Sequence, residues 1–441
     1  MLTRRNFLSF TSAGALALAA ECRPADSGWM ENMRQGCGDA TRSLLKLEKL
    51  AAFKSNLLGF PVNMNTPSEE FFAWRRRLNK SGVGEFAYNN VGDPFRESPI
   101  PYNTHDLERA VALKFGQLYG FDPHNIWGFL SNSGTDSNMH GMYIGRTILA
   151  ARNRIFPRCY FTREAHYSIQ ILRDLLGLET VLVATTPDGA MDAEDLARKL
   201  AENAERPALV VATVGTTFKG AVDDVDCIQE ALRGYSSYLH VDAALFGGYL
   251  PHTAFSKAVL QQGPNGPASK RYDSIAVSCH KFFGFPAPAG IFVTTRANFD
   301  EFHEYYSKVH GPEYIGHVPG TITCSRDSVK PAEFYYFTTA SSLARQADDA
   351  RLILGNAKYL FDQMRSRLPH LAPVRANELS NTIYFRRPDD AIKKKYSLAA
   401  MKITVNGKEE DYAHVVVMPH ASRKVLDNFL TDLDADSTVR L

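Results

Sequence analysis

The chain has 441 residues, 44% of them hydrophobic, enough for a large domain with its own core and a smaller one beside it. Its 50 lysines and arginines nearly cancel 48 aspartates and glutamates, so there is no charge excess to recruit nucleic acid or an anionic membrane, and a small molecule is the expected partner. The six cysteines, Cys22, Cys37, Cys159, Cys227, Cys279 and Cys324, lack the paired spacing of a zinc site or a disulfide framework, and most read as buried thiols.

At the N-terminus, Thr3-Arg4-Arg5-Asn6-Phe7-Leu8 and the small, weakly apolar run ending at Ala20 resemble a twin-arginine export signal. Ala15-Leu16-Ala17 and Ala17-Leu18-Ala19 offer cleavage sites, and the run is too short to anchor a mature protein in a bilayer. Residues 1–25 are therefore set aside as a leader, and the expected mature protein is exported or periplasmic and free of the membrane. A frayed basic terminus on a cytoplasmic protein is the alternative. Glu21 makes Cys22 a poor site for lipid attachment.

Residues 26–104 read as an N-terminal arm. Leu44, Leu45, Leu47, Leu50 and Phe53 predict a helix within 28–54, stopped by Gly59-Phe60-Pro61. Turn formers and amides between aromatic residues make 86–95 an ordered loop. Asn103-Thr-His-Asp106 supplies caps for a helix with Leu107, Ala110, Val111, Leu113 and Leu118 on its apolar face.

From 126 onward strands alternate with helices. Strands are predicted at 127–130, 158–162, 180–184, 208–214, 238–241, 274–277 and 290–294, which argues for an α/β fold with a doubly wound, mostly parallel sheet in a large domain over 105–310. After 310 the pattern turns helical, with 334–368 the longest stretch. Strand candidates at 381–385 and 413–418 and a final helix carrying Val425, Leu426, Phe429, Leu430 and Leu433 complete a smaller α+β domain over 311–441.

Ligands in such sheets gather at the carboxyl ends of the strands, and four strand ends here carry chemistry. Ser131-Asn-Ser-Gly-Thr-Asp-Ser-Asn138 turns into a helix whose first amides, with the hydroxyls of Ser133 and Thr135, can hold a phosphate dianion, although serine-rich caps are common without one. Asp242 ends an apolar strand, and a buried carboxylate needs a partner: a structural cation or a protonated pyridine nitrogen. Ala244 beside it is small enough to let a ring lie flat. His166, after another strand, either stacks on that ring or is an ordinary hydrogen-bonded loop residue. Lys281 follows the strand at 274–277 among Phe282, Phe283 and Gly284. A lone lysine there is ordinarily a surface residue, but poor solvation favours the neutral amine that makes a Schiff base with a carbonyl compound or with pyridoxal phosphate.

Taken in order, Ser133-Gly-Thr-Asp136, His166-Tyr-Ser168, Gly215-Thr-Thr-Phe-Lys-Gly-Ala-Val-Asp-Asp224, Val241-Asp-Ala-Ala244 and Ser278-Cys-His-Lys281 resemble the group II pyridoxal-phosphate-dependent amino-acid decarboxylases. Within that family the likeness is to bacterial histidine and plant serine decarboxylases. It runs from about Gly59 to Leu433, through Asn89-Asn-Val-Gly-Asp-Pro94, Ala376-Asn-Glu-Leu-Ser-Asn-Thr382 and Ala413-His-Val-Val-Val-Met-Pro419.

The resemblance implies fold type I, pyridoxal phosphate as cofactor, and a homodimer with active sites at the subunit interface. It implies that Lys281 carries the cofactor, Asp242 pairs with the pyridinium nitrogen and His166 stacks on the ring. Ser133, Gly134, Thr135, Ser278 and His280 would surround the phosphate, with Thr216 near the ring substituents. Ser325, within Thr323-Cys-Ser-Arg-Asp-Ser328, would lie near the substrate carboxylate. The implied reaction is decarboxylation of an L-amino acid to its amine, with histidine first, serine second and aromatic amino acids third. Transamination or another lyase step, and cofactor binding without turnover, are the alternatives. Cys279 and Ser137 stand where the family has glycine, and Cys324, Asp327 and Ser328 alter its glycine-serine-arginine-asparagine-glycine segment. Loss of glycine costs backbone freedom wherever φ is positive.

Overall fold

The structure, a computed structural model, describes residues 29–263, 266–311, 313, 319–405 and 408–436. The twin arginines, the cleavage sites and Cys22 lie outside the described residues. The chain divides into two compact units between Leu57 and Leu58. In the first, helix α1 (Trp29–Ala51) takes up most of the predicted helix, and Leu44, Leu45, Leu47, Leu50 and the following Phe53 are exposed.

The second unit begins its regular structure with α2 (Glu69–Lys80) and α3 (His105–Leu118). Strands and helices then alternate: β1 (Ile126–Ser131), α4 (Gly134–Asn153), β2 (Arg158–Thr162), α5 (Tyr167–Leu175), β3 (Glu179–Val183), α6 (Ala193–Glu202), β4 (Ala208–Thr213), α7 (Val225–Ala231) and β5 (Ser237–Asp242). β6 (Ser274–Ser278), β7 (Gly290–Thr295) and α8 (Arg296–Tyr306) follow. The seven strands form one sheet in the order β1-β7-β6-β5-β4-β2-β3. β3, β2, β4, β5 and β6 run parallel, and β7 is antiparallel to both its neighbours. β1 and β4 are buried along their whole length, which is why they read as unbroken apolar runs instead of alternating ones.

A second core forms where α10 (Ala340–Arg367), which follows α9 (Val329–Phe334), and α11 (Arg423–Ala435) pack on a three-stranded antiparallel sheet. Its strands are β8 (Thr382–Arg386), β9 (Ala399–Val405) and β10 (Lys408–Val416), in the order β8-β10-β9. Leu360, Met364, Ile383, Phe385, Val415, Phe429 and Leu430 fill it. The stretch 334–368 is not one helix. α9 ends at Phe334, a 3-10 turn spans Tyr335–Thr338, and Thr339, in extended conformation, caps α10 by accepting the Ser342 N–H. The break lets Phe334, Tyr336 and Phe337 turn into an aromatic cluster with Phe71, Phe283 and Phe285. β9 escapes sequence reading because it is an edge strand with Met401 exposed, and β10 begins five residues early, on the polar Lys408-Glu-Glu-Asp411. Among the described residues no helix is long and apolar enough to cross a membrane.

The loop at 86–95 is ordered by burial of its polar groups. Asn90 donates to Glu108 Oε2 at 3.0 Å and accepts the Thr104 N–H at 2.8 Å, while Trp127 Nε1 donates to Asp93 Oδ1 at 2.9 Å. Glu108, inside α3 and wholly buried, is ion-paired with Arg326, whose Nη2 also donates to Gly92 O at 3.0 Å. The guanidinium carbon lies 5.2 Å from the Phe129 ring centre. This pair joins three segments distant in sequence. Removing one partner strands the other charge, so Arg326→Met is expected to lower the unfolding free energy in urea by about 3–5 kcal/mol. The double variant Glu108→Gln/Arg326→Met should recover most of that loss; a single variant as stable as the parent refutes the assignment.

Candidate active site

The carboxyl ends of β4, β5 and β6 converge. Asp242 is the last residue of β5, 3% exposed, and the chain beyond it is stitched to β6: Ala243 N–H donates to Ala276 O at 3.0 Å and Ser278 N–H to Ala244 O at 2.9 Å. Both carboxylate oxygens are held, Oδ1 by the Ala244 N–H at 3.1 Å and Oδ2 by the Asn138 amide at 2.9 Å. On the β4 side the Val214 N–H donates to Asp242 O at 2.9 Å, and the next turn delivers Thr216, buried, whose Oγ1 accepts the Ala221 N–H at 2.9 Å.

β1 delivers the small-residue turn. Ser133 caps α4 by accepting the Asp136 N–H at 3.2 Å. The amides of Gly134 and Thr135, the first two of the helix, have no intrahelical acceptor by the geometry of any helix start. A Cβ on Gly134 would lie 2.4 Å from Ser278 Oγ and 3.8 Å from the Ala244 Cβ. The glycine thus opens a cradle between the helix start, the Ser278 hydroxyl and Ala244, with positive partial charge aimed into it. Thr135 beside it is exposed. A phosphate group fits that donor set.

Lys281 follows β6 and is half-buried; its carbonyl accepts the Asn63 and Gly284 N–H groups at 3.2 and 3.3 Å, and Asn63 Nδ2 donates to Phe282 O at 2.9 Å. Burial pushes its amine down from the ordinary lysine value, with the charge of Asp242 pulling the other way. Burial also lowers His166, reinforced by Lys281 and opposed by Asp242, so these three side chains share one electrostatic environment. His166 caps α5: Nδ1 accepts the Ser168 N–H at 3.3 Å and lies 2.8 Å from Ser168 Oγ, which leaves Nε2 to carry the proton of the neutral ring. His280 is lowered by burial too, and its Nδ1 sits 3.2 Å from Ala289 O.

The structure therefore brings together Ser133, Gly134, Asp242, Ala244, Ser278, His280, Lys281 and His166, with Thr216 on the adjoining turn. Among the described residues no hydrogen bond joins Ser325 to them. Ser325 is exposed and accepts the Asn89 amide at 3.1 Å, on a segment held by the Arg326 anchor and by the Ile322 N–H donating to His140 Nε2 at 2.9 Å.

The departures from glycine carry no backbone cost. Arg154, Ala372 and Ser397 are the described non-glycine residues at positive φ, so Ser137, Cys279, Cys324 and Ser328 are not among them. Ser137 Oγ is 2.6 Å from Ser131 Oγ inside the turn. Cys279 points into the core away from Ser278 and His280, and burial pushes its thiol well above the usual range, the state of an inert packing group. Cys159 and Cys279 are buried, and Cys227 and Cys324 are exposed.

Sequence reading missed the residues behind Asp242. Asn138 Oδ1 is 2.9 Å from His240 Nε2, and His240 Nδ1 is 2.7 Å from Ser274 Oγ, all inside the core. Burial pushes the His240 imidazole down to about 3, so it is neutral. The available signal was the alternation Tyr238, His240, Asp242 on one strand against the small residues Gly141 and Gly145 in α4.

Residues 148–318 match the pyridoxal-dependent decarboxylase conserved domain. The chain is 32% identical over 393 residues to a histidine decarboxylase of Solanum lycopersicum, covering 88% of this chain and 86% of that protein. It is equally 32% identical over 403 residues to serine decarboxylase 1 of Oryza sativa subsp. japonica, covering 87% and 74%. Among solved structures, the L-methionine decarboxylase of Streptomyces sp. 590 superposes with a TM-score of 0.74 at 22% identity over 100% of this chain and 98% of that one, which is likeness of fold. The chain belongs to the pyridoxal-dependent decarboxylases: it is a fold-type-I amino-acid carboxy-lyase whose cofactor is pyridoxal phosphate.

Proposed function

We propose that this decarboxylase converts L-histidine to histamine and carbon dioxide, as an exported homodimer. The observation that supports histidine is the likeness to a histidine decarboxylase along 86% of that protein's length. Serine is the second reading, because a serine decarboxylase matches at the same identity over 74% of its length. Aromatic amino acids come third.

In this reading Lys281 holds the cofactor through its amine, and Ser133, Gly134, Thr135, Ser278 and His280 hold the phosphate. His166 lies on one face of the ring and Ala244 on the other, with Thr216 near the ring substituents. Bound pyridoxal phosphate supplies an electron sink for the bonding pair left when carbon dioxide departs. Asp242, fixed by two hydrogen bonds, keeps a negative charge where a protonated ring nitrogen is its natural counter-ion. Lys281, whose amine burial makes easier to deprotonate, is placed to bond a carbonyl and afterwards to displace the product amine. Phe282 and the Asn63 segment cover the lysine loop and limit water. Ser325, exposed on one chain, reaches the substrate carboxylate from the other subunit of the dimer.

In a panel of amino acids, histidine is expected to give the fastest carbon dioxide release with histamine as product, and Lys281→Ala is expected to lose both turnover and the lysine-linked chromophore. Serine turned over faster than histidine would overturn the substrate; a Lys281→Ala enzyme still forming amine would overturn the lysine.

The amine has a pH signature. Its depressed titration means that attachment of pyridoxal phosphate to the apoprotein should have a pH midpoint below 10.5, falling off as pH drops through the depressed value. Because Asp242 acts upward on Lys281, Asp242→Asn should move that midpoint lower still. A midpoint at or above the ordinary lysine value, read from the absorbance of the attached cofactor, is the contrary result.

Export and assembly are checked on the purified mature protein. It should come from the exported fraction without Arg4 and Arg5 and sediment as a dimer; a cytoplasmic protein retaining both arginines counts against export, and a monomeric holoenzyme against the shared site.

A further inference from the structure

Asp242 is the visible end of a longer polar chain that the active-site assignment leaves unused. Side chains at alternate positions of a strand share one face, and on β5 these are Tyr238, His240 and Asp242, all facing α4. The helix receives them with small residues. A Cβ on Gly145 would lie 2.6 Å from the Tyr238 ring, and one on Gly141 2.3 Å from His240 Nδ1. One turn nearer the helix start, Asn138 meets Asp242 itself. On the other side, Ser274 of the parallel neighbour β6 is the register partner of His240. The imidazole is therefore gripped between the α4 backbone and a hydroxyl, with no freedom to turn.

The direction of every hydrogen bond follows from the carboxylate. An ionised carboxylate only accepts, so Asn138 presents Nδ2–H to Asp242 Oδ2 at 2.9 Å and its Oδ1 faces His240. His240 Nε2, 2.9 Å away, then carries the ring proton, and its Nδ1 accepts the Ser274 hydroxyl at 2.7 Å. With Asn138 so oriented, Asp242 Oδ2 serves as an acceptor, and a proton placed between Oδ2 and Asn138 would face the amide N–H. His240 and Ser274 are 0% exposed and Asn138 2%, positions where apolar side chains would pack without the cost of desolvating three polar groups.

We propose that Asn138, His240 and Ser274 are positioning residues that hold Asp242 as a carboxylate aimed at the ring nitrogen of pyridoxal phosphate. The inference rests on the reading that Asp242 pairs with that nitrogen. None of the three touches the cofactor; they act through Asp242, by fixing which of its atoms are spoken for and which remain free.

The test loads the full-length enzyme with pyridoxal phosphate labelled with 15N in the ring, and reads the nitrogen chemical shift together with the cofactor's dissociation constant. The parent protein and His240→Gln, which keeps an N–H donor at the position of Nε2, should both show a protonated ring nitrogen. Asn138→Asp sets a second carboxylate against Asp242, so the two share a proton; the nitrogen signal should move toward the unprotonated range and the dissociation constant should rise about tenfold to a hundredfold. His240→Phe should shift both readouts in the same direction. Asn138→Asp keeps the side-chain volume at this buried position, so it is the decisive variant. Should it fail to fold, Ser274→Ala decides, with an expected loss of affinity of about threefold and a shift of the same sign. A purely structural role would lower thermal stability and leave the nitrogen protonated. Folded Asn138→Asp and His240→Phe proteins with the parental shift and affinity overturn the proposal. Asp242→Asn separates the two layers: if it leaves the nitrogen protonated, the pairing of Asp242 with the ring is wrong. If it shifts the signal while Asn138→Asp does not, only the chain behind it is wrong.

Discussion

A carboxylate at the end of a buried strand costs several kcal/mol unless something answers its charge, and in this protein that group is Asp242. Two hydrogen bonds from Ala244 and Asn138 satisfy part of it, and no arginine or lysine is ion-paired to it among the described residues. The remaining demand falls on whatever occupies the space before it. Lys281 is near enough to feel the charge, yet burial still depresses its amine, so the two do not settle into a simple structural ion pair. In the proposed reading a cationic ring nitrogen answers the carboxylate and an aldehyde answers the amine, so that one small molecule resolves both tensions.

The sheet makes that arrangement reproducible. Parallel strands β4 and β5 end level with each other and β6 runs two residues farther, so the turn with Thr216, the Asp242-Ala-Ala244 turn and the Ser278-Cys-His-Lys281 turn share one rim. β1, reached across the antiparallel β7, brings the helix start of α4 to the same rim, and Gly134 allows it to approach Ser278. Farther out, the buried Glu108–Arg326 pair ties the 89–94 loop to the segment carrying Ser325. His140, held to Asp136 and accepting from Ile322, links that segment to the small-residue turn. The outer segments are thus fastened to the same helix that forms the cradle.

The residues that break the family pattern lie where substitution is cheap. Ser137 sits inside a helix and adds a hydroxyl contact to the turn, and Cys279 alternates away from the site into the core. The changes at Cys324, Asp327 and Ser328 fall on an exposed stretch around Ser325, with Ser328 itself buried against Thr104. Three of the five departures therefore fall near the segment that the dimer reading assigns to substrate, and the two in the strand-end turns, Ser137 and Cys279, leave the backbone of those turns unstrained.

The sequence by itself determined the α/β class, the positions of the seven strands to within a residue or two at most ends, and the residues that the structure gathers at the strand ends. Local signals sufficed there, because buried parallel strands are apolar runs and each chemical group follows directly at a strand's end. Tertiary structure alone decided the break between α9 and α10, the edge strand β9, the Glu108–Arg326 pair, and the chain from Asp242 to Ser274. Each of these depends on partners tens to hundreds of residues apart: an aromatic cluster that bends a helix, a neighbouring strand that supplies pairing, a carboxylate that fixes the orientation of an amide and an imidazole. His240 reads in sequence as one polar residue interrupting a strand. Only the approach of α4 at Gly141 and the register with Ser274 show why the interruption is there.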